Sequence, residues 1–271
     1  MNTKTKLLLA LLVVVVYACA TNPFTGKNEL NLIGNSEIFA SSFQSYSAFL
    51  NENKVITGTT DANRIKTVGE KIKKAAETYL KSVGNESYLD GYSWEYNLVD
   101  DASVNAWCMP GGKIVFYTGI LPICQDDAGI AVVMGHEVAH ALLNHGRSRM
   151  QTAMATELGG QVLGAATANK SATFQQAVAI AYSGGTQFGV TLPFSRSNET
   201  EADELGLRLM AIAGYNPDNA VPFWQRMAAN SGGAETLEWM STHPSNTTRI
   251  SNIQKQIPGA KAEAAKFGVK F

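Results

Sequence analysis

The chain has 271 residues, which is enough for one domain with a sizeable core and short extensions. Apolar residues make up 45% of the sequence and charged residues 17%, a composition that is typical of a globular protein and excludes an intrinsically disordered one. The net charge is −1, and the sequence contains no basic cluster, so it gives no reason to expect a nucleic-acid partner.

Residues 1–18 have the pattern of an export signal. Two lysines precede the uncharged apolar run LLLALLVVVV, which is too short and too close to the terminus to predict a membrane-spanning helix. The following VYAC resembles a bacterial lipobox, although tyrosine is untypical at its position. We therefore predict that residues 1–18 are a signal peptide and that Cys19 becomes a lipidated first residue that anchors the chain to a membrane. The alternative is an ordinary cleaved signal peptide followed by a chance cysteine.

The residue after Cys19 is Ala20 rather than aspartate. By analogy with Gram-negative lipoproteins, this favours an exported protein on the periplasmic face of the outer membrane. Residues 19–35, which contain the turn-rich phrase TNPFTGKNELNLIG, are predicted to form a lipidated polar tether. The folded domain is predicted at residues 36–271.

Periodicity within that domain predicts an α+β fold that is mostly helical. Helices are predicted at residues 36–51, 61–80 (with Asp61 as N-cap), 126–144, 195–214, 216–230 and 246–257. Strands are predicted at residues 93–101, 103–110 and 113–121, joined into a small antiparallel sheet with a turn at 111–112. The small-residue segments 151–168 and 172–185 are interrupted by polar residues, so neither predicts a membrane span.

The stretch GHEVAH, residues 135–140, carries the strongest functional signal. On a helix, His136 and His140 are about 400° apart and project from one face, with Glu137 beside them. This is the HExxH arrangement of zinc peptidases, in which two histidines bind the metal and the glutamate takes a proton from water. The competing explanation is a satisfied pair of core histidines. The apolar surroundings argue against it, because unpaired buried histidines carry a desolvation cost.

A catalytic zinc ion needs a third protein ligand. His145 follows His140 by five residues and would point about 140° away from it on a continuing helix, so we interpret His145 as structural. Glu199 and Asp203 are spaced i and i+4, so the glutamate can complete a site with two histidines while the aspartate holds a ligand imidazole. Spacing alone leaves a solvated acidic face equally open, because two more glutamates are nearby.

Four phrases, NAWCMPGG, HEVAH, SRSNETEAD and STHPSNTTR, together resemble the gluzincin endopeptidases that include the CaaX prenyl proteases, HtpX-like proteases and mitochondrial Oma-type proteases (metallopeptidase family forty-eight). The likeness runs from about Asn22 to the last helix and is greatest to bacterial periplasmic lipoprotein members. It implies a zincin-like metalloprotease domain whose small sheet packs on the HExxH helix. It also implies one Zn²⁺ per chain, extended polypeptide substrates, quality control of misfolded envelope proteins, and envelope assembly machinery as a candidate partner.

The resemblance assigns roles to individual residues. It makes Glu199 the third zinc ligand and places Asp203 behind a ligand imidazole. It implies that His243 either caps the zinc in a latent state or lies near the water and the substrate oxyanion, although a helix-flanking His-Pro turn would explain His243 on sequence alone. Arg249 follows in the same segment and is a candidate to stabilise the site or the oxyanion.

The phrase NAWCMPGG is similar to the family's edge strand, which can take an extended substrate as an added strand. The resemblance places Asn105 and Ala106 beside the cleft. Cys108 departs from the family's commoner alanine, and with Cys124 it forms either a disulfide or a pair of buried thiols. A rival class of function remains open, a zinc-stabilised chaperone-like binding or assembly factor with latent proteolysis.

Overall fold

The structure is a computed structural model that describes residues 19–31, 34–149, 151–152, 195–230, 238–243 and 247–271. The predicted signal peptide, nearly all of segment 151–168 and all of segment 172–185 lie outside these residues. The described helices are α1 (Asn35–Glu52), α2 (Thr60–Ser82), α3 (Leu121–Cys124), α4 (Asp127–Leu142), α5 (Arg196–Ile212), α6 (Ala220–Asn230), α7 (Glu238–Thr242) and α8 (Thr247–Ala265). The described strands are β1 (Cys19–Thr21), β2 (Asn28–Leu30), β3 (Val55–Ile56), β4 (Glu95–Val99), β5 (Ala106–Met109) and β6 (Lys113–Tyr117).

The predicted α+β class, mostly helical with a small sheet packed on the GHEVAH helix, is confirmed. Within the described residues, no helix is both long enough and apolar enough to cross a bilayer.

Two helix ends differ from the sequence prediction. Thr59 rather than Asp61 caps α2, because the Thr59 hydroxyl accepts a hydrogen bond from the Ala62 N–H at 3.2 Å. The last helix continues beyond residue 257 and through Pro258. Ala260 and Ala264, which follow the proline, are buried against the core, so tertiary packing outweighs the local helix-breaking tendency.

The main sheet has the strand order β3-β4-β6-β5. The hairpin of β5 and β6 is antiparallel as predicted, and its turn uses Gly111 and Gly112 at φ of +84° and +85°. One pairing differs from the expected antiparallel arrangement, because β4 pairs with β6 in parallel. Burial explains why β6, and not β5, lies between two strands. Every residue of β6 is buried, which suits a central strand, whereas β5 has partly exposed side chains and takes the edge.

The segment expected to be a tether contains an ordered hairpin of β1 and β2. Phe24, at its turn, is buried and stacks on Tyr79 of α2 with 5.1 Å between ring centroids. The hairpin therefore packs on the domain. The lipid at Cys19 and the domain boundaries stay predictions.

Helices α4 and α5 pack against each other at the centre of the core, and two glycines make their close approach possible. A Cβ atom added to Gly135 would lie 2.8 Å from the carbonyl oxygen of Gly206. A Cβ added to Gly206 would lie 2.9 Å from the backbone nitrogen of His136. Both clashes involve backbone atoms, so neither can be relieved by turning a side chain.

We predict that Gly206→Ala lowers the free energy of unfolding by roughly 1–3 kcal/mol, because it overpacks this helix crossing. Urea denaturation measures the change. Gly259→Ala is the matched control, because Gly259 lies in α8 with open space around its Cβ position. That control should change stability by no more than about 1 kcal/mol, in the stabilising direction. Equal stability of the Gly206 variant and wild type would contradict the tight crossing.

Candidate metal centre

Four side chains from three parts of the chain meet in the core at the crossing of α4 and α5. His136 and His140 project from α4, Glu199 from the first turn of α5, and His243 directly follows α7. All four are buried, and one ligand atom from each lies within 4.8 Å of the others. The structure therefore brings together the two histidines, the glutamate and the HP histidine that the sequence analysis singled out.

The distances between donor atoms fit a tetrahedral metal. His136 Nε2 lies 3.0 Å from His140 Nε2 and 3.2 Å from His243 Nδ1. Glu199 Oε1 lies 3.3 Å from His140 Nε2 and 3.0 Å from His243 Nδ1. Ligands at about 2.0–2.1 Å from a tetrahedral zinc ion are roughly 3.3 Å from one another. These four distances are compatible with a metal ion such as the zinc implied by the sequence, and all donor pairs lie within 4.8 Å.

The charge of the site also fits a divalent cation. Glu137, Glu199 and Asp203 are buried carboxylates, while Arg249 is the buried cation among them. With neutral histidines, this group carries two negative charges. Glu199 Oε2 accepts no well-aligned hydrogen bond, although Arg249 Nη1 lies 2.9 Å away. A buried excess of negative charge is costly unless a cation neutralises it.

The pKa values show the same demand for positive charge. Burial alone would lower the pKa of His136, but hydrogen bonds with Asp203 and Glu199 outweigh it and raise that pKa to about 9. Burial lowers the pKa of His140 far below its usual value. Burial would raise the pKa of Glu199, but its contacts with three histidines hold that pKa far below its usual range. The carboxylates of Glu199 and Asp203 therefore favour positive charge at this site.

Asp203 and Arg249 hold the imidazole of His136 in place. His136 Nδ1 donates to Asp203 Oδ1 at 3.0 Å, which directs His136 Nε2 into the donor cluster. Arg249 donates to both oxygens of Asp203, from Nε at 2.8 Å and from Nη2 at 2.7 Å. Its guanidinium also stacks on Trp224 with 3.7 Å between the central carbon and the ring centroid. Arg249 is therefore directed at the carboxylates that orient and complete the ligand set.

Glu137 lies beside the donor cluster and has two neighbours from the α7 segment. Trp239 Nε1 donates to Glu137 Oε1 at 2.7 Å, and His243 Nε2 lies 3.5 Å from the same oxygen. Trp239 is fully buried and stacks on Trp224 with 5.2 Å between centroids. The sequence analysis missed Trp239. Its one available signal was its position four residues before His243, on the same side of a short helix.

Strand β5 borders the site as the edge of the described sheet. Ala106 is buried, and the Asn105 carbonyl accepts a hydrogen bond from the Tyr117 N–H at 3.1 Å. Burial and, second, the charge of nearby Glu137 raise the pKa of the Cys108 thiol well above its usual value. Cys108, which is partly buried, and Cys124, which is buried, are both free, so the structure has the thiol alternative and not the disulfide.

We predict that Arg249→Met lowers the unfolding free energy of the chelator-treated protein by roughly 3–5 kcal/mol, because it leaves buried carboxylates without their cation. Guanidinium denaturation gives the value. The control is Lys261→Met, which removes a surface ion pair with Asp218 at 2.6 Å and should cost less than about 1 kcal/mol. A loss below 1 kcal/mol in the Arg249 variant as well would show that the buried pairing does not stabilise the site.

Comparison with known proteins supports a peptidase. Mitochondrial metalloendopeptidase OMA1 of Saccharomyces cerevisiae is 38% identical over 204 residues, which cover 73% of this chain and 56% of OMA1. Metalloprotease YcaL of Escherichia coli is 24% identical over 260 residues, which cover 96% of this chain and 99% of YcaL. The beta-barrel assembly-enhancing protease of Yersinia pestis is 26% identical over 188 residues, or 66% of this chain and 38% of that protein.

The chain spans about half the length of the yeast OMA1 relatives that it matches. The sequence profile of peptidase family M48 matches residues 63–257, a range that contains the whole donor cluster together with Glu137, Asp203 and Arg249. Because this match covers well over half of the chain, the chain belongs to peptidase family M48.

Proposed function

We propose that this chain is a zinc-dependent metalloendopeptidase that hydrolyses misfolded or damaged proteins of the bacterial cell envelope. The observation that carries the proposal is the cluster of His136, His140, Glu199 and His243 beside the buried carboxylate of Glu137. A buried carboxylate next to a metal site is the arrangement that peptide hydrolysis by a zinc enzyme requires.

His136, His140 and Glu199 would hold one zinc ion per chain. When bound, the ion supplies Lewis acidity that activates water and polarises the scissile carbonyl. Glu137 acts as the general base that accepts a proton from the attacking water and later returns it to the leaving amine. Trp239 keeps the Glu137 carboxylate oriented through its indole N–H.

His243 gives the site a latent form. Its Nδ1 belongs to the donor cluster, so His243 would be a fourth protein ligand to a bound zinc ion, whereas a catalytic zinc site keeps that position open for water. His243 Nε2 also lies 3.5 Å from Glu137 Oε1, so a small movement of this imidazole off the donor cluster would leave it beside the general base, where it can stabilise the oxyanion of the tetrahedral intermediate. The contacts of Arg249 with Asp203 and Glu199 favour a stabilising role over direct action on the oxyanion.

The substrate is an extended polypeptide that adds to the edge strand β5, with Asn105 and Ala106 beside the cleft. Strand addition gives affinity through backbone hydrogen bonds and so accepts many sequences, as a quality-control protease needs. The backbone carbonyl of Val104, just before this edge, accepts a hydrogen bond from the backbone N–H of Trp239 at 3.0 Å. The α7 segment therefore contacts both Glu137 and the chain just before β5, the strand to which the substrate is proposed to add.

The cell envelope is proposed as the location because of the export signal and the lipobox at Cys19, which would tether the enzyme to the periplasmic face of the outer membrane. The name of the Yersinia pestis relative, a beta-barrel assembly-enhancing protease, supports envelope assembly machinery as a partner. The OMA1 relatives are mitochondrial proteins, so the family likeness alone does not specify the compartment.

We predict that Glu137→Gln retains one zinc ion per chain and loses casein hydrolysis, because the amide cannot accept a proton and is not among the metal ligands. The experiment measures zinc content and hydrolysis on the full-length chain, with wild type alongside. Zinc and hydrolysis in both proteins would contradict the role of Glu137. Zinc without hydrolysis in both, together with binding of unfolded protein, would favour the rival function, a zinc-stabilised binding factor.

We predict that His243→Ala retains zinc and hydrolyses casein faster than wild type, because the substitution removes the side chain that takes the place of water. Initial rates at equal zinc content measure the effect. Glu137→Gln combined with His243→Ala is the control and should be inactive. A slower His243 variant with full zinc content would instead assign His243 to the oxyanion and reject the latent form.

A further inference from the structure

Helix α4 ends earlier than the sequence predicts, and its end redirects His145. The helix stops at Leu142, and Asn144 takes a left-handed conformation with φ of +53°. The chain therefore turns, and His145 returns to face His140 with 4.9 Å between ring centroids. The interpretation of His145 as pointing away assumed a continuing helix, and that assumption is wrong.

The two imidazoles are joined directly. His140 Nδ1 and His145 Nδ1 are 2.9 Å apart, and both residues are buried. A histidine that binds a metal through Nε2 carries its proton on Nδ1, so His140 donates and His145 accepts. The proton of His145 is then on Nε2, which faces Glu201 Oε2 at 3.5 Å.

Glu201 connects this pair to the N-terminal hairpin. Its Oε1 accepts a hydrogen bond from Lys27 Nζ at 2.6 Å, and Lys27 lies just before β2. The chain of contacts therefore runs from His140 through His145 and Glu201 to Lys27. A similar series of contacts supports His136, which donates to Asp203, and Asp203 in turn accepts from Arg249.

The hairpin also caps the end of α4. Asn22 is fully buried, and its amide donates to the Leu142 carbonyl at 2.9 Å. Glu29 accepts a hydrogen bond from the Asn144 amide at 2.8 Å, at the residue where the chain reverses. These contacts fix the turn that returns His145 to His140, because they satisfy the helix terminus and the left-handed residue after it.

We propose that His145 is a positioning residue for the zinc ligand His140, and that the N-terminal hairpin holds it in place through Lys27 and Glu201. This inference rests on the proposed zinc site and extends it, because it makes the segment next to the predicted lipid anchor a part of the metal centre. Partners of this kind orient ligand imidazoles, and their removal commonly weakens metal binding 10- to 100-fold.

The test compares His145→Leu with His145→Asn in the full-length chain. Competition with a chromogenic chelator gives the zinc dissociation constant, and thermal unfolding of the metal-free protein gives its stability. We expect at least about tenfold weaker zinc binding for the leucine variant. The asparagine variant should bind zinc nearly as wild type does, because its Oδ1 stands where His145 Nδ1 accepts the proton.

Equal weakening in both variants, in proportion to lost metal-free stability, would reduce His145 to a packing role and overturn the proposal. Wild-type affinity in the leucine variant would overturn it directly. If wild type binds no zinc, the proposed function fails instead, so the two failures are distinguishable.

The contribution of the N-terminal hairpin to zinc affinity is tested by comparing Lys27→Ala with Lys54→Ala. Both lysines form exposed ion pairs, to Glu201 at 2.6 Å and to Asp100 at 2.7 Å, but the Lys54 pair has no connection to His145. We expect a measurably weaker zinc affinity only for the Lys27 variant, smaller than the change for His145→Leu. Identical zinc affinities in the two lysine variants would show that the hairpin does not support the metal centre through Lys27.

Discussion

Helices α4 and α5 meet backbone to backbone at Gly135 and Gly206, and this contact sets the distance between the two elements that carry three of the four candidate metal donors. The next residue after Gly135 is the ligand His136, and Glu199 lies two turns before Gly206. A larger residue at either glycine would separate the helices by an amount comparable to the tolerance of a metal–ligand bond. Stability of the core and geometry of the site therefore depend on the same crossing.

Around this crossing the protein buries more negative than positive charge, which explains the arrangement of its partners. His136 contacts Asp203 of α5, and Asp203 accepts hydrogen bonds from Arg249. His140 contacts His145 just beyond α4, His145 faces Glu201 of α5, and Glu201 accepts a hydrogen bond from Lys27. The two supports differ in exposure. The Arg249 support is buried, whereas the Lys27 support reaches the surface at the N-terminal hairpin.

A third element brings two more buried side chains to the candidate metal centre. Trp239 and His243 reach the site from the α7 segment, and Trp239 also contacts the chain just before the edge strand β5. The short helix α7 thus connects Glu137, His243 and the chain just before β5. Under the proposed function, this link would couple substrate binding at the edge strand to access to the candidate metal centre.

The sequence by itself determined the fold class, three of the four strands of the main sheet, and the HExxH helix with its two histidines and Glu137, because local periodicity and short motif spacing encode these features. Its family likeness added Glu199, Asp203 and His243. Tertiary structure alone decided the parallel pairing of β4 with β6, the indole of Trp239 on Glu137, and the return of His145 to His140. These features depend on which buried surfaces meet and on a left-handed turn at Asn144, and neither leaves a periodic signal along the chain.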